Sequence, residues 1–232
     1  MTDRKASAHI VGIIFRSLAV AFSVRYKLSL PETRDPTVAA TQLARLRLVS
    51  ERFPFHLITP IWRFRGEECR AGGSTGLREP RDLLRLSARR RAAWADADWP
   101  EDLEPEEIQG FVIKVGRRCE NLPIGLARYP AVVERRGLLY ATGLPGWQWS
   151  AACNTWYASL CGLEYFVRCH QSVIAVLDQA QALGFGVDVR DDGGYWEHRD
   201  VWKLLDAVER THRKSPVLSP AAQRSSGALT PP

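Results

Sequence analysis

The chain of 232 residues is poor in sulfur and in lysine: it has one methionine, five cysteines, and only five lysines among its 32 basic residues. An odd cysteine count in a chain long enough to fold without staples excludes a disulfide framework as the organising principle, and reduced thiols in a cytoplasm are expected. Long apolar runs are missing as well. The best candidate, residues 10–24 (IVGIIFRSLAVAFSV), is broken by Arg16 and falls short of the roughly 20 residues that span a bilayer, so no membrane association is expected. Its small-x-small ending leaves secretion through a signal peptide over residues 1–23 as the lesser alternative. The glycine-rich stretch Ala71 to Gly76 lacks the Gly-Lys-Ser/Thr ending of a phosphate cradle. Cys153, Cys161 and Cys169 recur every eight residues rather than in the close pairs that aim two thiolates at one ion, so neither a metal site nor a cofactor is expected.

What the chain does have is charge unevenly placed. The net charge is +6, but residues 1–91 are rich in Arg, whereas residues 92–108 hold Asp96, Asp98, Glu101, Asp102, Glu104, Glu106 and Glu107 with no base. A basic helix over Arg81 to Ala93 therefore has an intramolecular partner within a few residues, and nucleic-acid binding is not expected of it. Prolines at 100 and 105 give the acidic block the composition of an extended linker.

Organisation sharpens after this block. Phe111 to Val115 and Leu122 to Leu126 read as strands, and two short runs flanking Arg135-Arg136-Gly137 read as a hairpin. From Leu163 to Leu183, Phe166, Val167, His170, Val173, Ile174, Leu177 and Ala180 recur at helical spacing, and Gly184 stops the helix. A short strand follows over Phe185 to Val189. The last helix is capped by Asp200 and buries Val201, Leu204, Leu205 and Val208. Before the block, a helix over Thr37 to Ser50 and proline-broken edge strands over Arg52 to Arg65 are expected. The expected division is a loosely specified region over 1–107, an α+β domain over 108–212 with a small antiparallel sheet and two C-terminal helices, and a disordered tail over 213–232.

Gly125-Leu-Ala-Arg-Tyr-Pro130, Gly146-Trp147-x-Trp149, Cys153-x-Thr155-x-Tyr157-Ala158-Ser159, Arg168-Cys169-His170 and Asp191-x-Gly193-x-x-Trp196-Glu197-x-Arg199-Asp200 follow one another in order. The set resembles a family of uncharacterised bacterial proteins over about residues 105–210. Members of that family carry Lys and Gln where this chain has Asn154 and Trp156. The resemblance implies no activity, so no catalytic residue comes with it.

Two function classes compete. One is a binding or accessory module without catalytic activity: Trp147, Trp149, Trp156 and Tyr157 are too many aromatics for a domain of about a hundred residues to bury, so they are expected to present a face to a protein partner. The rival is a small hydrolase or transferase in which Cys153 is the nucleophile and His170 the base, with Asp192 or Glu197 in support and Asp178 as a possible orienter. The bland reading of the same residues is that His170 is a core histidine and that the acids from Asp191 to Asp200 shape a turn before a helix.

Overall fold

Val24, Tyr26, Leu28 and Leu30 alternate with Arg25, Lys27 and Ser29, the period of two that gives a strand one buried face. The computed structural model, which describes residues 22–70, 79–91 and 102–214, places this segment as strand β1 (Ser23–Leu30). The chain continues through α1 (Pro36–Ser50), β2 (Leu57–Ile58), β3 (Trp62–Arg65), a 3₁₀ turn, α2 (Pro80–Ala88), β4 (Arg90–Arg91), β5 (Asp102–Leu103), β6 (Glu107–Lys114) and β7 (Asn121–Arg128). Then come β8 (Val132–Arg135), β9 (Leu138–Ala141), β10 (Trp147–Asn154), a 3₁₀ helix over Trp156–Cys161, α3 (Leu163–Ala182), β11 (Gly186–Asp191), α4 (Tyr195–His198) and α5 (Val201–Lys214).

Seven strands make an open antiparallel sheet in the order β11-β1-β10-β7-β6, with β2 and β3 both on the outer side of β6. Pro60 lies in the gap between those last two, where a missing N–H is tolerated because the strand is at an edge. The fold class is α+β, with helices on both sides of the sheet. Neighbouring residues of β6 show why: Gln109 donates to the Pro36 carbonyl at the start of α1, while Gly110, pointing to the other face, has Leu84 of α2 where a Cβ would sit. The helix expected over Leu163 to Leu183 is α3, and its buried residues include Phe166, His170, Val173, Ile174, Leu177 and Ala180.

The boundary placed at 107/108 does not divide this architecture. Strand β1 lies between β10 and β11, β3 pairs with β6, and one continuous core runs from Phe22 to Val208. The stretch read as a loosely specified region thus supplies inner strand, edge strands and a covering helix. The acidic linker differs too: β6 begins at Glu107, whose buried carboxylate meets Arg65 at 3.3 Å and Arg128 at 3.4 Å on the two flanking strands. Glu106 pairs with Arg128 and Arg34, and Glu104 with Arg70, so Glu104, Glu106 and Glu107 are paired within the fold. The basic helix ends at Ala88, after which β4 pairs with β5. The candidate signal segment, apart from Phe22 and Ser23, and the tail beyond Lys214 lie outside the described residues. Among the described residues no helix is long and apolar enough to cross a membrane.

Candidate functional site

The motif residues converge where β10, α3 and β11 meet, but not as a nucleophile and its base. Thr155 closes β10 and precedes the 3₁₀ helix; its Oγ1 lies 2.9 Å from His170 Nδ1. On the other side of the ring, His170 Nε2 lies 3.1 Å from Asp191 Oδ2. A proton on Nε2 satisfies both contacts, with the hydroxyl donating to Nδ1 and the imidazole donating to the carboxylate. Asp191 also accepts from the backbone N–H groups of Gly193, Tyr195 and Trp196. Burial alone would raise its pKa, but the hydrogen bond from His170, the electrostatic interaction with that ring and the backbone donors outweigh it and hold the carboxyl below its ordinary value. Phe22, Phe166 and Tyr195 pack around the imidazole. Thr155 and His170 are fully buried, as is the Asp191 side chain, so this triad of groups is sealed from any substrate.

Cys153 is not the partner of His170. It is a residue of β10 rather than of a loop, its thiol donates to the Glu120 carbonyl at 3.4 Å, and both imidazole nitrogens are already taken. Complete burial pushes its pKa well up, which disfavours the thiolate. The lowered thiol is Cys169, brought to about 7 chiefly by the hydrogen bond from Cys119, with Tyr165 and Arg168 helping against burial. Asp192 pairs with Arg25 at 2.8 Å and accepts from Ser23 N–H, which fastens β11 to β1. Asp178 forms a bidentate pair with Arg199, which also stacks on Trp196. Glu197 is exposed and has no ion pair among the described residues. Among the described residues Cys153 and His170 therefore form no hydrogen-bonded nucleophile and base, and neither Asp192 nor Glu197 is hydrogen-bonded to either.

The aromatic face is overturned in three of its four members. Trp147 and Trp149 are residues of the inner strand β10, opposite Leu30 and Leu28 of β1, and Trp156 opens the 3₁₀ helix; all three are buried. Trp149 Nε1 and Tyr26 Oη both donate to the Pro123 carbonyl of β7, beyond the two registered pairs that join β7 to β10. Gly146 lets the chain entering β10 pass close to the end of β1: its φ is 59°, and a Cβ there would stand 2.2 Å from the Leu30 carbonyl oxygen. Only Tyr157 is exposed.

No family model, curated protein or solved structure matches this chain.

Large apolar side chains are exposed singly at Trp202 of α5, Leu48 of α1 and Leu57 of β2, and as a group on one hairpin. Hairpin β8 and β9 forms a separate two-stranded sheet, closed by Arg136 and Gly137 at φ 53° and 77°, the pair of positive values that a type I′ turn requires. Val132 is 49% exposed, Leu138 60% and Leu139 74%. The register puts Val132, Glu134, Leu139 and Ala141 on one face, and all four are exposed. Val133 and Tyr140, on the other face, are half-buried. The turn residues Arg135-Arg136-Gly137 marked the hairpin in the sequence; that it stands apart from the main sheet depends on the tertiary fold. Among the described residues no cluster of three or more His, Cys, Asp or Glu is arranged to hold a metal.

Proposed function

We propose that the chain is a binding module that takes an extended protein segment as a third strand on the β8–β9 hairpin. The observation that carries this reading is the hairpin itself: two strands outside the main sheet, with Val132, Leu138 and Leu139 turned to solvent. A two-stranded hairpin is marginal in water, and an added strand covers apolar side chains such as Val132 and Leu139. The partner that fits carries apolar residues at alternate positions, to lie over Val132, Leu139 and Ala141. Alternation matters because successive side chains of the added strand face opposite ways.

The test is a phage library of ten-residue peptides panned on the full chain. Selected peptides are expected to alternate apolar residues, and one added to labelled protein is expected to shift the backbone amides of residues 132–141. The paired change Val132→Asp with Leu139→Asp is expected to weaken that peptide by about tenfold or more while leaving the melting temperature unchanged. Selection of no peptide, or of peptides whose affinity survives the paired change, would overturn the reading.

A further inference from the structure

Independently of the hairpin, a second hydroxyl and imidazole meet at a cavity. Ser159 lies in the 3₁₀ helix, and its Oγ is 3.2 Å from Nε2 of His212 on α5. Trp156 stacks against the imidazole with ring centroids 4.4 Å apart, which fixes the ring plane. Both groups line a cavity of about 440 Å³ together with Leu160, Gly162, Leu163, Glu209 and Arg213. Three features separate this pair from a packed core contact. His212 Nδ1 is buried with no hydrogen-bond partner among the described residues, as is Trp156 Nε1. Helix α3 starts at the cavity wall with no side-chain cap, and its first internal bond runs from Phe166 N–H to the Gly162 carbonyl, which leaves the N–H groups of Leu163, Glu164 and Tyr165 without intrahelical partners. Burial also lowers the His212 pKa, favouring the neutral ring that can accept a proton.

We infer that Ser159 and His212 form a nucleophile and base for esters with a short apolar acyl group. Ser159 Oγ adds to the ester carbonyl carbon as its proton passes to His212 Nε2. The alcohol leaves with that proton, and an acyl ester remains on Ser159. Water then adds to the acyl carbon, giving its proton to His212, and Ser159 leaves as the hydroxyl with that proton restored. The balance is ester plus water to acid plus alcohol. Leu160 and Leu163 suit an apolar acyl chain, and free N–H groups at the start of α3 suit the negative oxygen of the tetrahedral intermediate. Among the described residues no carboxylate or other acceptor meets His212 Nδ1, so the unit is a dyad.

A fluorophosphonate probe applied to the folded full chain, followed by peptide mapping, tests the inference. The expected result is one adduct, on Ser159, absent from Ser159→Ala and formed about 100-fold more slowly in His212→Gln. Leu163→Trp, which fills the cavity from its wall, serves if the histidine variant does not fold, and it too is expected to slow labelling. Absence of an adduct on Ser159 in the wild-type chain, or a labelling rate unchanged in the folded variants, would overturn it.

Discussion

Thr155 and Ser159 sit at the start and in the body of the same 3₁₀ segment, and each meets a histidine, yet the two sites are opposites. At Thr155 every polar atom is matched: hydroxyl to Nδ1, Nε2 to Asp191, and Asp191 to three backbone N–H groups. At Ser159 the far imidazole nitrogen has no partner and the pair borders a cavity. The difference teaches that a hydroxyl, an imidazole and a carboxylate in a line are not thereby a catalytic triad. Saturated and sealed, they tie three elements together; a smaller set that borders a cavity, with one buried nitrogen left unmet, has chemistry available to it.

Stability measurements can break that comparison. The largest effect is expected for Asp191→Ala, which strands the His170 N–H and three backbone donors and should cost about 3–5 kcal/mol in urea unfolding. Thr155→Val keeps the shape but leaves His170 Nδ1 unmatched, and about 1–3 kcal/mol is expected. Ser159→Ala should stay within about 1 kcal/mol, because the cavity lets water reach the groups it exposes. Equal losses at Thr155 and Ser159 would mean that the two sites are not different in kind.

Acid sharpens the same contrast. The folded Asp191 carboxyl titrates below its ordinary value of 3.8, so its contribution is complete above that value and is lost as pH falls through the lower, folded one. Unfolding followed from neutral pH down to about 2 should therefore show wild-type stability falling below 3.8 more steeply than that of Asp191→Asn. Parallel curves would remove Asp191 from the account.

Much of the C-terminal half was legible in the sequence because its signals are local: the helical spacing of α3, the turn residues of the β8–β9 hairpin, and Asp200 accepting from the N–H groups of Trp202 and Lys203 at the start of α5. Strand β1 carried an equally clean alternation, but the apolar run before it blurred the pattern. Glu107 read as linker because the arginines that accept it into a strand, Arg65 and Arg128, are far away in sequence. The tryptophans were assigned to a surface on the assumption of a small domain. With β1, α1 and β3 added from the N-terminal side, and helices over both faces of the sheet, there is interior enough for Trp147, Trp149 and Trp156. His170 was readable as a core histidine from its apolar neighbours, whereas its ties to Thr155 and Asp191, and the meeting of Ser159 with His212, are long-range and left no pattern in the chain.

Access of reagent to the two imidazoles tests the central contrast most directly. Diethyl pyrocarbonate applied to the native full chain, with modified histidines located by peptide mapping, should modify His212 and leave His170 untouched until the protein is unfolded. Modification of both at similar rates in the folded protein, or of neither, would contradict the account.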